Sequence, residues 1–139
     1  MRLVLDPNVL ISAIVADGVS RRLFDLWRGE RRYELIVCPV LLGELADVLA
    51  RERFRRFITS DDREVLITLL HTEATLVTDP EHVPHVTADP DDDYLVALAQ
   101  REHVDFIVSG DSDLTALKGI DPPVLTPAEA LTRLNEAGR

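Results

Sequence analysis

The sequence has 139 residues, of which 46% are hydrophobic, 29% charged and 5% aromatic, as is typical of one globular domain and not of a disordered segment. A chain of this length buries roughly 68% of its unfolded surface, so a core forms without disulfides or a structural metal. Cys38 is the only cysteine, which excludes a disulfide-stapled fold and a cysteine-histidine zinc site and indicates a reducing, cytoplasmic location.

The charge of the chain is acidic and unevenly distributed. The net charge is −10, yet residues 21–56 carry nine basic and six acidic residues, whereas residues 60–139 carry five basic and seventeen acidic ones. The total argues against passive binding of nucleic acid to a basic surface. An acidic protein still binds a phosphodiester when its acids surround divalent cations and its arginines line the approach, so the sign of the total decides little.

The N-terminal segment and the apolar runs bear on export and membrane insertion. Asp6 follows only three apolar residues, which is too short for the core of a signal peptide. No apolar run approaches the roughly 18 residues of a membrane span. We therefore expect a protein that is not exported and has no membrane partner.

The predicted elements alternate between strand and helix along the chain. Continuous apolar runs predict strands at Leu3–Leu5, Leu35–Cys38, Ala74–Val77, Phe106–Val108 and Val124–Leu125. Between and after them, helices are predicted at Asn8–Ala16, after a Ser20 N-cap, from Pro39, from a Ser60 N-cap to about His71, at Tyr94–Arg101, at Leu114–Lys118 and from Pro127 to about Asn135. The pattern predicts a single α/β domain over residues 1–139, a three-layer α/β/α sandwich with a mostly parallel central sheet.

Two aspartates follow predicted strands. Asp6 ends the first strand, and Asp111 comes shortly after Val108 at the end of the fourth. In a parallel sheet covered on both faces, ligands bind beyond the carboxyl ends of the strands. We therefore expect these two carboxylates at the binding edge.

Helix geometry places two further acids. At about 100° per residue, Glu44 borders the apolar stripe of the helix after Pro39, whereas Asp47 points to the opposite face. On the helix after Pro90, Asp92 falls in the apolar stripe and Asp93 is turned away from it. Glu44 and Asp92 are therefore the acids expected to point inward.

Carboxylates that converge on one crevice repel each other and raise each other's pKa unless a cation neutralises them. Hard oxygen ligands suit Mg²⁺ or Mn²⁺, and such a site activates water for hydrolysis of a phosphodiester. Each acid also has an ordinary structural interpretation. Asp6, Asp111 and Asp113 suit helix caps or turns, the acids before Tyr94 suit a helix N-terminus, and Glu44 suits an exposed surface.

Four motifs in order resemble the PIN-domain nucleases, in particular the VapC-like toxins of bacterial and archaeal toxin–antitoxin pairs. The motifs are Val4–Ala13, Glu44-Leu45, Asp89–Leu95 and Val108–Leu114. The resemblance runs from residue 3 to about residue 130. It implies a Rossmann-like sandwich, endoribonuclease activity with Mg²⁺ or Mn²⁺, an RNA substrate, a small antitoxin partner and a homodimer.

The resemblance also implies roles for individual residues. The acidic site would comprise Asp6, Glu44, Asp92 and Asp111, with Asp113 as a fifth member of the metal site. Asn8 resembles the asparagine that orients the first aspartate, and Ser109 the hydroxyl residue after the fourth strand. Asp93 lies beside Asp92, and the helix geometry favours Asp92.

One departure from the family pattern keeps an alternative open. Pro7 stands where the family usually has Thr or Ser, and proline supplies neither a hydroxyl nor a backbone donor. A catalytically weakened PIN domain that binds RNA or a partner is therefore the second hypothesis. A phosphatase of the HAD-like class is a third, but it requires an aspartate where this chain has Asn8.

A basic stretch follows the third predicted helix. Arg51, Arg53, Arg55 and Arg56 are interpreted as contacts for RNA phosphates or for the antitoxin. The structural alternative is a solvated helix that packs through Phe54 and Phe57.

Overall fold

The computed structural model of the chain describes residues 1–81, 83–85, 92–117 and 119–137. Its sheet has the order β3-β2-β1-β4-β5, and every neighbouring pair is parallel. The strands are β1 (Arg2–Leu5), β2 (Glu34–Val37), β3 (Thr75–Leu76), β4 (Phe106–Val108) and β5 (Val124–Leu125). The predicted parallel sheet is confirmed.

The helices cover the sheet from both sides. They are α1 (Pro7–Val15), α2 (Val19–Arg28), α3 (Pro39–Leu49), α4 (Ser60–Glu73), α5 (Asp93–Arg101), α6 (Ser112–Thr115) and α7 (Pro127–Ala137), with a 3-10 turn at Glu52–Phe54. Helix α1 packs on α2 and α3, whereas α5 packs on β1 and β4. The chain steps from β1 to β3 in one direction and then returns past β1 to β4, so right-handed crossovers place these two groups of helices on opposite faces. The three-layer α/β/α sandwich is confirmed.

The three central strands are apolar on both faces. Leu3, Val4 and Leu5 of β1 are buried, as are the whole of β4 and the last three residues of β2. Strands of this kind form only where helices exclude water from both sides of a parallel sheet. The continuous apolar runs in the sequence therefore predicted both the strands and their burial.

The register of β1 and β4 brings two distant segments to one edge. Leu5 pairs with Val108, so Asp6 and Ser109 leave the sheet side by side. The Asp6 amide donates to the Val108 carbonyl at 2.9 Å. The strand order reverses between β1 and β4, which is the topological switch point at which parallel sheets bind ligands.

Two predicted helix caps are wrong by one or two residues. Helix α2 begins before Ser20, because the Arg22 amide already donates to the Gly18 carbonyl at 3.1 Å. Helix α4 is capped by Thr59 and not by Ser60. The Thr59 hydroxyl accepts from the Asp62 amide, and the Asp62 carboxylate accepts from the Thr59 amide. This capping box requires an acid three residues after the cap, which Thr59 has and Ser60 lacks.

Some predicted loop and helix residues lie outside the described residues, and one helix begins earlier than predicted. The loop residues Asp89, Pro90 and Asp91 and the predicted helix end at Lys118 lie outside the described residues. Helix α6 begins at Ser112, two residues before the predicted start, because Asp111 caps it. Within the described ranges, none of the helices has the length and apolar character needed to cross a membrane.

Candidate active site

Asp6 follows the last residue of β1, and both of its carboxylate oxygens accept hydrogen bonds. Its side chain is 3% exposed. Oδ1 accepts from the Asn8 amide at 3.0 Å, and Oδ2 accepts from the Ser109 hydroxyl at 2.8 Å. Asp6 is therefore the N-cap of α1, as the structural interpretation of the sequence held. The capping bond uses one oxygen and leaves the carboxylate at the edge beside Ser109.

A chain of hydrogen bonds joins Asp6 to the segment after β4. The Ser109 hydroxyl that donates to Asp6 also accepts from the Asp111 amide at 3.0 Å. Asp111 is partly buried and caps α6, because its Oδ1 accepts from the Asp113 amide at 2.9 Å. The Asp113 side chain itself is exposed in the first turn of α6. The structure thus brings Asp6, Ser109 and Asp111 together.

The environment of Asp6 disfavours its charged form. Burial raises the pKa of Asp6, and the negative charge of Asp111 raises it further, while the Asn8 amide and the Ser109 hydroxyl oppose the shift. A buried carboxylate beside a second one costs free energy in its charged form. A cation between the two would offset both the desolvation and the repulsion.

Glu44 enters the same edge from α3 through a contact that the sequence did not predict. The Tyr94 hydroxyl, at the start of α5, donates to Glu44 Oε2 at 2.6 Å. Burial raises the pKa of Tyr94, as do the Glu44 carboxylate and, to a lesser degree, Cys38 and Asp6. Tyr94 therefore lies within the electrostatic field of both Asp6 and Glu44. The tyrosine hydroxyl at the start of the apolar stretch Tyr94–Ala99 is the signal that could have pointed to this contact.

The helix-face prediction is confirmed for α3 and is wrong in part for α5. Glu44 is partly buried and Asp47 is exposed, as the stripe on α3 predicts. On α5, however, Asp92 is 9% exposed and Asp93 only 3%. The expected outward direction of Asp93 fails because every residue from Asp93 to Ala99 is buried, which leaves this part of the helix without a solvent face. Asp93 Oδ2 lies 2.9 Å from Nδ1 of His85.

The structure shows what Pro7 and Asn8 contribute. Pro7 is buried at the first position of α1, where a helix amide has no partner within the helix, so its missing donor costs no helix bond. Asn8 orients Asp6 through its backbone amide, and its side chain is exposed. The side-chain role that the resemblance implies for Asn8 stays a prediction.

The basic stretch after α3 is a surface feature. Arg51, Arg53, Arg55 and Arg56 are all exposed, and the Arg53 guanidinium lies 4.8 Å from the centre of the Phe54 ring. Phe54 packs against the core, but Phe57 is 61% exposed. The interpretation in which both aromatic residues form a packing face is therefore wrong for Phe57, because the chain buries the next residue, Ile58, instead.

Two open depressions lie at the edge, one beside Glu44 and the other beside Asp111. One has a volume of about 630 Å³ and is lined by Glu44, Tyr94, Asp47 and Arg51 among others. The other has a volume of about 310 Å³, and Asn8 and Asp111 line it. Volumes of this size suit small ligands or single nucleotides.

The donor set fits a hard divalent cation in its chemistry. Asp6 and Asp111 offer carboxylate oxygens, which Mg²⁺ and Mn²⁺ prefer, and the raised pKa of Asp6 marks a place where positive charge is favourable. Within the described ranges, no group of three or more His, Cys, Asp or Glu side chains stands ready to hold a metal ion. Asp6 and Asp111 are the two predicted ligands that hydrogen bonds to Ser109 bring to one edge of the sheet, and their role in metal binding stays a prediction.

Comparison with known proteins identifies the fold. A family model described as PIN domain matches residues 2–113. VapBC2 from Rickettsia felis, solved bound to a DNA fragment from its promoter, aligns with a TM-score of 0.60 at 10% identity over 91% of this chain and 98% of its own. FitAcB from Neisseria gonorrhoeae aligns with a TM-score of 0.53 at 16% identity over 91% and 98%.

A further structure, FitAB bound to an IR36 DNA fragment, aligns with a TM-score of 0.54 at 15% identity over 90% of this chain and 94% of its own. At these identities the likeness concerns the fold. No curated protein sequence matches this chain significantly.

Proposed function

The chain belongs to the PIN domain family, and from that premise we propose that it is a Mg²⁺- or Mn²⁺-dependent endoribonuclease that acts as the toxin of a toxin–antitoxin pair. The observation that carries the proposal is the buried Asp6 carboxylate, bonded to Ser109 and raised in pKa by burial and by Asp111, at the switch point of the sheet. Both acids also cap helices, but the placement of two negative charges at one edge raises the pKa of Asp6 and favours a cation there.

The carboxylates of Asp6 and Asp111 would hold the metal ion, with Glu44, Asp92 and Asp113 as the further candidate ligands. When bound, the ion would supply an activated water and stabilise the negative charge that develops on the attacked phosphodiester. The protein holds the acids in place: Ser109 orients Asp6, the Asp113 amide orients Asp111, and the Tyr94 hydroxyl orients Glu44. Such outer contacts typically fix the direction of metal-binding oxygens.

We propose Asp92, and not Asp93, as the third acid. Both side chains are buried near the start of α5. The Asp93 carboxylate is engaged with the His85 ring, since its Oδ2 lies 2.9 Å from His85 Nδ1. Separate Asp92→Asn and Asp93→Asn variants decide between them. Replacement of the true ligand raises the metal concentration needed for half-maximal cleavage, and replacement of the other acid does not.

A small antitoxin is the proposed partner, and the homodimer stays a prediction. The motifs resemble VapC-like toxins, and VapBC2 is among the structures that share the fold. A ribonuclease that is active in the cell that makes it requires restraint. Co-purification of the chain with the product of a neighbouring reading frame, and inhibition of cleavage by that product, test the pairing.

The experiment that tests the nuclease is cleavage of a panel of single-stranded and structured RNAs by the purified protein with Mg²⁺, with Mn²⁺ and with EDTA. Wild type should cut only with metal, and Asp6→Asn should lose at least a thousandfold in rate while it keeps its circular dichroism spectrum. Asp25→Asn, an exposed acid on α2, is the matched control and should cut as wild type does.

Two outcomes contradict the proposal. Cleavage that survives EDTA, or that survives in Asp6→Asn, excludes the acidic site as its source. Stoichiometric metal binding by a wild-type protein that cuts nothing in the panel favours instead the weakened PIN domain that binds RNA or a partner.

A further inference from the structure

The stretch of residues 51–57, the arginine segment, contains Arg51, Arg53, Arg55 and Arg56 beside the single acid Glu52, in a chain that is otherwise acidic. We propose that this segment and the adjoining depression on α3 form the track that binds the backbone and bases of single-stranded RNA and leads it to the acidic edge. The inference rests on the proposed function, because it names where the substrate of that same site lies.

The first argument is the absence of internal partners. Over the described part of the chain, no carboxylate lies within ion-pair distance of Arg51, Arg53, Arg55 or Arg56. Among the other described arginines, Arg2, Arg28, Arg31, Arg32 and Arg101 each pair with a glutamate, whereas Arg21, Arg22, Arg63 and Arg133 have no ion pair with a described carboxylate and are spread over three helices. In a protein of net charge −10, four clustered arginines left without such pairs are available to an anion from outside.

The second argument is continuity with the site. The depression of about 630 Å³ is lined by Glu44 and Tyr94 and also by Arg51. Glu44 and Arg51 are seven residues apart along α3 and its C-cap, which corresponds to roughly 10 Å at the helical rise. An anionic strand whose reacting phosphate sits at the acidic edge therefore passes Arg51 directly.

The third argument is an exposed aromatic ring among the arginines. Phe54 packs on the core and Ile58 is buried, so the segment is anchored at two points. Backbone bonds from the Arg55 amide to the Glu52 carbonyl (3.1 Å) and from the Phe57 amide to the Phe54 carbonyl (3.0 Å) fold it into tight turns. Phe57 projects from this anchored turn at 61% exposure.

The combination identifies the chemistry of the ligand. Single-stranded nucleic acids are bound by a cationic groove that follows the backbone together with aromatic side chains on which bases stack. Arginine also engages phosphate through its planar fork. A single-stranded RNA offers both a phosphate for each arginine and a base for the exposed ring, so we argue for RNA and make the antitoxin an outcome of the test.

A variant at Asp47 is expected to change RNA affinity in the opposite direction from the arginine variants. Asp47 lines the same depression one helical turn before Arg51, and it is exposed. Its carboxylate repels a phosphate bound there. Removal of Asp47 should therefore tighten RNA binding, whereas removal of the arginines should weaken it.

The test is fluorescence anisotropy with a labelled single-stranded RNA, in EDTA so that the strand stays intact, at several salt concentrations. Arg51→Gln with Arg55→Gln should raise the Kd at least about tenfold and reduce the slope of log Kd against log salt by about 0.7 for each lost phosphate contact. Arg22→Gln with Arg28→Gln, on α2, changes the net charge equally and should shift the Kd less than about twofold.

The aromatic contact has its own matched pair. Phe57→Ala should weaken binding by about fivefold to a hundredfold, and Phe57→Leu should not restore it, because leucine has no face for stacking. Val65→Ala, on α4, removes a side chain that is 67% exposed and should leave the Kd unchanged. Asp47→Asn should lower the Kd.

Equal effects in the two arginine pairs, or an unchanged salt slope, would overturn the proposal. So would arginine variants that bind RNA normally but no longer bind the antitoxin, since the segment would then be a protein interface. Hydrolysis of bis(4-nitrophenyl) phosphate with Mn²⁺ separates this failure from failure of the proposed function. A diester too small to reach the segment should be cut equally by wild type and by the arginine variants.

Discussion

The two halves of the acidic edge are held by different kinds of contact. The carboxylates of Asp6 and Asp111 each accept from an amide two residues away. Two longer-range bonds join the ends of β1 and β4: the Ser109 hydroxyl donates to the Asp6 carboxylate, and the Asp6 amide donates to the Val108 carbonyl. Glu44 is contacted by the hydroxyl of Tyr94, which lies 50 residues away and on a helix of the opposite layer. The first half therefore follows from strand register, and the second depends on how two helices pack against the sheet.

This difference predicts unequal tolerance of change. Asp6 has a short side chain with two bonds to rigid neighbours, so the loss of one leaves it in place. Glu44 has a longer side chain and is only partly buried, so it has more rotamers to occupy once a contact is lost. The strand half is the rigid part of the candidate site, and the helix half is the part that substitutions should disturb most.

Tyr94→Phe is expected to have the largest effect on the helix half of the candidate site. The variant removes only the hydroxyl, so Glu44 loses that orientation, and the metal concentration for half-maximal cleavage should rise about tenfold to a hundredfold. Tyr33→Phe is the matched control. Its hydroxyl donates to the Leu23 carbonyl at 2.8 Å and is also buried, so it should lower the melting temperature without changing the metal requirement. Equal metal requirements in the two variants would show that Tyr94 has only a structural role.

A second prediction concerns the cost of the buried charge at Asp6. The folded state raises the pKa of Asp6, so it binds this proton more tightly than the unfolded chain does, and the contribution to stability is lost as the pH rises through the folded pKa. Asp6→Asn removes the charge and retains the cap. In EDTA at pH 7 its melting temperature should therefore exceed that of wild type by about 2–6 °C.

The pH dependence supplies the check on this interpretation. The difference between Asp6→Asn and wild type should shrink as the pH falls and close below the ordinary Asp value of 3.8, where the wild-type carboxyl is protonated in both states. Divalent metal should raise the melting temperature of wild type and not that of the variant. A difference that does not vary with pH would mean that burial of the charge is not its cause.

The smallest effect is expected for Asn8→Ala, which tests whether the backbone or the side chain of Asn8 orients Asp6. The contact to Asp6 comes from the backbone amide of Asn8, which alanine also has. Asn8→Ala should therefore change the cleavage rate less than about twofold and the unfolding free energy by less than about 0.5 kcal/mol. A loss of tenfold or more in rate, with the fold intact, would assign the exposed side chain the orienting role that the family resemblance implies.

Most of the fold could be predicted from the sequence, because its determinants are local. The five strands appear as apolar runs. The bounds of β4 and β5 are as predicted, and those of β1, β2 and β3 differ by one residue at one or both ends. The position of Asp6 and Asp111 at one edge followed from parallel strand order alone. The errors at Ser20 and Ser60 have a local cause as well, since adjacent residues compete for a cap and the winner depends on where the first helical bond closes.

The sequence alone determined three features: the alternation of strands and helices, the acids at strand ends and the family motifs. Three features were decided by tertiary structure: the burial of Asp93, the bond from Tyr94 to Glu44 and the exposure of Phe57. A helix pattern shows which side chains share a face, but the number of faces that are covered depends on elements distant in the chain. That is why a stripe on α3 predicted Glu44 correctly, whereas on α5, which packs against β1 and β4, it failed for Asp93.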